Sequence, residues 1–393
     1  MATSNSKITH EESKELAQFW SERGDALSLY FKAPAPPSQL ANREDLIFAK
    51  DKIKEAMGTL RGSSAADRSD ILRIMETVAK MKGNGRRTKI IFACARRRLW
   101  REFDIPGDSA LRCEVGCSFT LAPLLAQQQS RRRYCIALAD RNRARLLLLE
   151  GSEISEHSQV LDEDDKEKIR TTGTSKSVHL ERRQEEKARR HFSFLSDHLL
   201  HFYEHGDYDH LMVGCRDEMW PEIEGELHPQ VRRILAGRFS CDPGLATCDE
   251  IQEKAQAIVD VKDREDEGRL VERTVGAAAA NALGAVGLKA VIEALEKGEV
   301  RTLLWADQPN AARHGASLCE SCGHLESDVL PACALCGAHM RRFDDAQEAL
   351  LRHALGRSIE VRQLHYSKLP HPDGIAAWLR FRAEMNATQA LAS

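Results

Sequence analysis

The sequence predicts a mixed α/β and α+β protein in three parts, with a four-cysteine ribbon set into the last of them. Short apolar runs that read as strands, K-I-I-F-A-C-A at 89–95 and H-L-M-V-G-C at 210–215 among them, alternate with segments whose apolar residues return every three or four positions. That alternation builds layered helices and sheets. The pairs Cys319/Cys322 and Cys333/Cys336 stand ten residues apart, each followed by a glycine, Gly323 or Gly337. At 393 residues, with 42% hydrophobic and 30% charged content, the chain has enough apolar matter for two or three cores. The expected parts are an N-terminal α+β domain at 1–130, a middle domain at 131–244 and an α/β domain at 245–393, whose ribbon occupies 317–340.

In the first part, L-S-L-Y-F at 27–31 reads as a buried strand that stops at Pro34, Pro36 and Pro37. A helix follows with Leu46, Ala49, Ile53 and Met57 on one face, then a second after Ser63 or Ser64 with Ile71, Ile74 or Met75, and Val78 inward. Strands at Lys89–Ala95 and Leu99–Phe103 come next, with Arg96, Arg97 and Arg98 at the turn between them.

The middle part opens on the hairpin Y-C-I-A-L-A-D, R-N-R, A-R-L-L-L-L-E-G. The polar stretch 153–176 reads as an exposed loop, its acidic run Asp162–Asp165 solvated. A long helix then buries Ala188, Phe192, Leu195, Leu199 and Phe202 as one stripe. The strand His210–Cys215 follows, and another helix leads to Arg238.

The third part starts near Asp249 with a charged helix carrying Ile251, Ala255, Ile258 and Val261. G-L-K-A-V-I-E-A-L-E-K-G-E-V-R-T-L-L-W-A reads as a helix, a stop at Gly298 and a buried strand at Val300–Ala306. After the ribbon come a helix at Ala346–Ala354, a strand at Ile359–Leu364 and the apolar segment G-I-A-A-W-L-R-F.

A net charge of only −3 excludes a polycation, so any nucleic-acid surface is a local patch. Cysteines outside the ribbon (Cys94, Cys113, Cys117, Cys135, Cys215, Cys241, Cys248) are odd in number and irregularly spaced, which points to a reducing compartment. The N-terminus M-A-T-S-N-S-K-I-T-H lacks the apolar core of a signal peptide, and the Ala- and Gly-rich run Val275–Val286 is too short to span a bilayer. The expectation is a cytoplasmic monomer with no membrane partner.

Two knuckles of two thiolates match the spacing of a zinc ribbon, and the alternative is a redox use of the C-x-x-C pairs. Tetrahedral Zn²⁺ takes four soft ligands at about 2.3 Å. Cys319, Cys322, Cys333 and Cys336 fill all four positions, so the ion would be structural and leave no place for a reacting water. Iron also accepts four thiolates. His324 and His339 beside the cysteines, and His191, His198 and His201 on the long helix, are read as non-ligands.

Several segments, in order, resemble the archaeo-eukaryotic class-1 release factor and Pelota superfamily over roughly residues 134–385. The hairpin at 134–151 resembles the first hairpin of that family's middle domain, and L-E-R-R-Q-E-E-K-A-R-R-H-F resembles the start of its long basic helix. G-L-K-A-V-I-E-A-L-E-K-G-E-V-R-T-L-L-W-A is similar to its third-domain helix and strand, the ribbon sits where archaeal members carry a cysteine minidomain, and G-I-A-A-W-L-R-F is similar to the closing strand. The first part resembles the Balon-like bacterial branch in layout. The resemblance implies a three-domain release-factor-like architecture and a factor that binds ribosomal RNA, transfer RNA and a translational GTPase.

The departures bear on mechanism. Where peptide-releasing members carry Gly-Gly-Gln, an ungapped match puts Gly173, Thr174 and Ser175, so one glycine stays and the glutamine is gone. Gln184 falls on the helix and reads as a surface residue, and no Asn-Ile-Lys-Ser stop-codon motif occurs in the first part. The resemblance therefore implies an A-site factor acting in hibernation or rescue without hydrolysis. The alternatives are a peptidyl-tRNA hydrolase with a divergent loop, using Ser175 or Gln184, and an RNA-binding scaffold that has left the ribosome. The expected RNA contacts are Arg96, Arg97 and Arg98 at the hairpin turn, and Lys176, His179, Arg182, Arg183, Lys187, Arg189 and Arg190 around the start of the long helix. Glu181, Glu185 and Glu186 dilute the second group and hold part of it in i,i+4 pairs.

Overall fold

The computed structural model describes residues 9–32, 87–106, 112–129, 132–151, 153–157, 177–306 and 315–383, together with a few helical positions between 51 and 77. The first-part helix expected over Leu46–Met57 and the Pro34–Pro37 break lie largely outside these residues. Two compact units form, one from residues 130–263 and one from residues 1–129 with 264–393.

In the discontinuous unit, strands β1 (Ala26–Lys32), β2 (Arg87–Cys94), β3 (Leu99–Pro106) and β4 (Arg112–Gly116) make an antiparallel sheet in the order β3-β2-β1-β4. Leu27 stands opposite Ala93 and Phe31 opposite Lys89. Leu99 opposes Cys94 across a tight turn closed by Arg98, whose φ of 52° is left-handed. Phe92 lies at the centre of an aromatic cluster, with ring centroids 5.1 Å from Phe119, 6.0 Å from Tyr30 and 6.3 Å from Phe103. The helix His10–Gln18 starts at a capping box: Glu12 N–H donates to Thr9 Oγ1 (3.2 Å), and Thr9 N–H donates to Glu12 Oε2 (2.8 Å). Ile74, expected inward, is fully buried.

The unit of residues 130–263 carries the sheet β7-β6-β5-β8-β9, from β5 (Arg133–Ala139), β6 (Ala144–Glu150), β7 (Glu153–Glu156), β8 (His210–Cys215) and β9 (Leu235–Ser240). β5, β8 and β9 run parallel, while β6 returns antiparallel on β5. Both faces of β5 are buried, which is why it reads as a continuous apolar run. Cys135, Ala137 and Ala139 meet Ala188, Phe192, Leu195 and Leu199 of the helix Ser177–Glu204. Tyr134, Ile136 and Leu138 join the cluster that holds Ile251 and Ala255 of the helix Cys248–Ala279.

Two sequence expectations are corrected here. β9 occupies the stretch where a helix was expected to lead to Arg238; only the short helices Trp220–Glu226 and Pro229–Arg233 precede it. β7 stands at the start of the expected loop, as an edge strand opposite Leu147–Glu150. On the charged helix Ile251 and Ala255 are fully buried, while Val261 is 53% exposed.

The remainder of the discontinuous unit holds the sheet β10-β16-β11-β15, from β10 (Gly284–Val286), β11 (Val300–Ala306), β15 (Glu360–Leu364) and β16 (Ile375–Leu379). β11 and β15 are parallel, and β16 lies antiparallel between β10 and β11. The helix Leu288–Glu296 ends where Gly298 takes a φ of 70°, the stop its sequence announced. Between β11 and the helix Ala346–Gly356 stands the ribbon, a small sheet of β12 (Ala316–Cys319), β13 (Leu325–Glu326) and β14 (Met340–Phe343) in the order β13-β12-β14. One core is common to the first part and this one, with Leu16, Tyr30, Phe92 and Phe119 in the same cluster as Leu350 and Ala354. Among the described residues no helix is long and apolar enough to cross a membrane.

Candidate metal centre and basic surfaces

The two knuckles of the ribbon are local copies of one turn. In the first, Cys319 N–H donates to the His324 carbonyl (2.8 Å) and Gly323 N–H to the Cys319 carbonyl (3.2 Å). In the second, Cys333 N–H donates to the Ala338 carbonyl (2.8 Å) and Gly337 N–H to the Cys333 carbonyl (2.9 Å). Gly323 and Gly337 have φ of 73° and 71°, so the backbone conformation, not crowding, demands glycine there. Backbone amides point at sulfur, Cys322 N–H at Cys319 Sγ (3.5 Å) and Leu335 N–H at Cys333 Sγ (3.4 Å).

The Sγ atoms of Cys319, Cys322, Cys333 and Cys336 all lie within 4.8 Å of one another. Measured separations are 3.4 Å for Cys319–Cys336, 3.6 Å for Cys322–Cys333 and 3.5 Å for Cys322–Cys336. A tetrahedral ion with metal–sulfur bonds of about 2.3 Å sets sulfurs about 3.8 Å apart, so the donor set fits a metal ion without rearrangement. His324 is held elsewhere, with Nδ1 on Glu296 (2.7 Å) and Nε2 on Glu326 (3.2 Å), and His339 Nδ1 faces Glu320 (3.3 Å). Both histidines are thus bystanders to the cysteines. Glu296 also accepts Leu325 N–H (3.0 Å), so one carboxylate ties the knuckle to the helix Leu288–Glu296.

The hairpin turn keeps fewer free cations than its composition suggests. Lys89 is buried against Glu102 (2.6 Å), Arg101 forks onto Glu15 (2.8 and 2.9 Å), and Arg96 meets Asp25 (3.1 Å). Arg97 and Arg98 are exposed and pair with no acid among the described residues.

On the helix Ser177–Glu204, Arg190 bonds Glu186 (2.6 Å, the i,i+4 pairing expected) and Arg189 bonds Glu226 (2.9 Å). Arg182, Arg183 and Lys187 have no acid partner among the described residues. Gln184 is exposed, as expected of a surface position. The loop residues Gly173, Thr174, Ser175 and Lys176 lie outside the described residues, as does the side chain of His179. His191 is 2% exposed, with no hydrogen-bond partner for Nε2 among the described residues, and packs as a core residue. The sequence reading took His198 as a non-ligand and Phe202 as part of the buried stripe, and it passed over Phe194, whose i, i+4 spacing to His198 was in plain view.

Residues 120–260 match the family described as bacterial archaeo-eukaryotic release factor family 10. Over those residues the match bears out the release-factor resemblance read from the sequence. Solved structures to which the chain shows similarity include the archaeal translation termination factor aRF1 (18% identity, 95% of this chain and 99% of that one, TM-score 0.25). Archaeoglobus fulgidus Pelota is 13% identical (97% and 95% covered, TM-score 0.37). An archaeal Pelota described as ribosome-bound with ABCE1 is also 13% identical (95% and 94% covered, TM-score 0.41). No curated protein sequence matches the chain.

Proposed function

We propose that this chain is a ribosome-binding translation factor of release-factor and Pelota type that occupies the A site without hydrolysing peptidyl-tRNA. The observation that carries the reading is the family match over 120–260, which spans the segment where the sequence has Gly173-Thr174-Ser175 in place of Gly-Gly-Gln. Catalysis by that loop in releasing members depends on an amide-bearing side chain that positions water on an ester; serine offers one hydroxyl and a shorter reach. Hibernation, or rescue by recruiting another factor, fits a protein that binds and does not cut.

In this reading the three parts at 1–130, 131–244 and 245–393 act as recognition, reach and recruitment modules. Arg96, Arg97, Arg98 and the helix-start group Lys176, His179, Arg182, Arg183, Lys187, Arg189 and Arg190 meet ribosomal or transfer RNA, and the third part meets a translational GTPase. Its ribbon holds Zn²⁺, chosen over iron because the ion serves no electron transfer here. The protein works in the cytoplasm.

Sedimentation of the purified protein with 70S and 50S particles through sucrose, at low and moderate salt, tests the reading. Co-migration that weakens with salt, joined to no peptide release from stalled ribosome–nascent-chain complexes, supports it. Turnover that falls in Gly173→Ala replaces it with the hydrolase, and absence from ribosomes at every salt overturns it.

A further inference from the structure

The helix Ser177–Glu204 carries on its solvent side a line of cations and rings, of which Arg190 is held by Glu186. Arg183, Lys187, Arg190, Phe194, His198 and His201, with His205 just past the helix end, follow one another by steps of four and three. At about 100° per residue these positions share one face, away from the buried stripe Ala188–Phe192–Leu195–Leu199, and the line is about 33 Å long. Its first half is cationic. Its second half is a row of rings: Phe194 to His198 (centroids 4.6 Å) and His201 to His205 (4.1 Å), with His198 (6.2 Å) and His157 past the end of strand β7 (5.4 Å) both against Phe202, which packs on the core. Phe194 is 50% exposed, and His157, His201 and His205 are exposed. Four histidines here are not a metal site, since among the described residues only the four ribbon cysteines bring their ligand atoms close enough together.

We propose that this face is a docking track for unpaired RNA, with phosphates on Arg183 and Lys187 and splayed bases stacked on Phe194 and His198. Aromatic faces accept any base, and a run of cations leading into them follows a strand from backbone to base. Glu186, Asp197 and Glu204 fall along one flank of the line. A duplex laid on the helix would bring phosphate onto those acids, whereas a single strand passes beside them. His205 Nδ1 bonds the His201 carbonyl (2.8 Å), which puts the ring proton on Nδ1 and leaves Nε2 as an acceptor for a 2′-hydroxyl, the group that tells RNA from DNA. The proposal rests on the ribosomal reading above, because large-subunit RNA supplies such unpaired loops, and it adds which half of the helix reads the bases.

The test uses the full chain and fluorescence anisotropy with a labelled unstructured RNA oligonucleotide and a duplex of equal length. The double variant Phe194→Ala/His198→Ala is expected to lose about tenfold or more in single-strand affinity, with duplex binding and the salt slope unchanged. Phe194→Trp is expected to bind as the natural protein does. Arg183→Ala/Lys187→Ala is expected to weaken both ligands and reduce the single-strand salt slope by about 1.4. Unchanged single-strand binding in the ring variant overturns the proposal, as does full binding by Phe194→Leu, which keeps the bulk and removes the ring. Ring-dependent RNA binding by a protein that ignores ribosomes sinks the ribosomal reading and leaves the track standing. Ribosome co-migration with a silent ring variant does the reverse.

Discussion

Arg352 Nη1 donates to the Ala17 carbonyl at 2.8 Å, from a guanidinium that is 3% exposed. The same group also donates to the carbonyls of Leu16 (3.4 Å) and Phe119 and to Glu348 (3.0 Å), whose other contact is Leu121 N–H (3.3 Å). A C-terminal helix is thereby fastened to the N-terminal part through a buried cation. Burial works against both charges, pushing the Glu348 carboxyl up and the Arg352 guanidinium down.

Arg352→Ala is expected to cost about 3–5 kcal/mol, because it leaves Glu348 charged and unpaired in the core. Arg352→Met/Glu348→Met removes both charges and is expected to recover a large part of that loss. Urea midpoints of the two variants decide it. A single variant no less stable than the double would refute the pairing.

The ribbon is expected to bind one equivalent of zinc by elemental analysis, and chelation is expected to expose the four ribbon thiols to a thiol reagent. Cys333→Ser, at a buried ligand, is expected to abolish stoichiometric zinc. Because the ligands must be deprotonated, affinity is expected to fall as pH drops. Full zinc content in Cys333→Ser would contradict the four-thiolate site.

His353 gives a pH dependence of definite sign. Burial first, and then the Arg357 charge, hold its imidazole down at about 4 against an ordinary 6.5, with Glu296 and His324 as its other charged neighbours. The unfolded chain takes up this proton before the folded one does. Stability is therefore whole above pH 6.5 and falls toward pH 4, by up to about 1.4 kcal/mol per pH unit. His353→Leu is expected to flatten that decline, measured as urea midpoints at pH 6.5 and 5 with zinc in excess. Parallel declines in both proteins would assign the effect to other groups.

Glycine replacements separate crowding from freedom. A Cβ on Gly284 would press on the Thr274 carbonyl oxygen and stand 2.6 Å from the Ala278 nitrogen, both backbone atoms. Gly284→Ala is expected to destabilise by about 1–3 kcal/mol. Gly276, in the helix Cys248–Ala279, meets nothing within 4 Å, and Gly276→Ala is expected to stabilise by about 0.5–1 kcal/mol. Thermal denaturation of the pair should move in opposite directions.

Strands with strong apolar runs were legible in the sequence almost to the residue, His210–Cys215 being one, because burial on both faces leaves no polar interruption. The ribbon was legible because its two C-x-x-C-G pairs have the spacing that a four-thiolate metal site requires. β9 was not, since L-A-G-R-F-S is half-exposed at the sheet edge and its glycine and arginine break the pattern. Nor was Arg352, a charged residue in a helical segment whose partners lie far away in sequence. Periodicity marks which face turns inward, but it cannot tell that a cation on that face will find three carbonyls. The basic clusters were legible by composition alone; their pairing with Glu15, Glu102, Asp25 and Glu226, which withdraws several members, depends on tertiary neighbours.

Leu16 and Arg352 are 336 positions apart, yet they belong to one core. At elongation rates of about 5–20 residues per second, the opening helix and strands wait on the order of tens of seconds for their counterpart to be made. Residues 130–263 emerge complete in the interval and can close on their own sheet. The outer segments thus assemble after the segment made between them, and a nascent chain halted before Arg352 carries Tyr30, Phe92 and Phe119 with only part of their shelter.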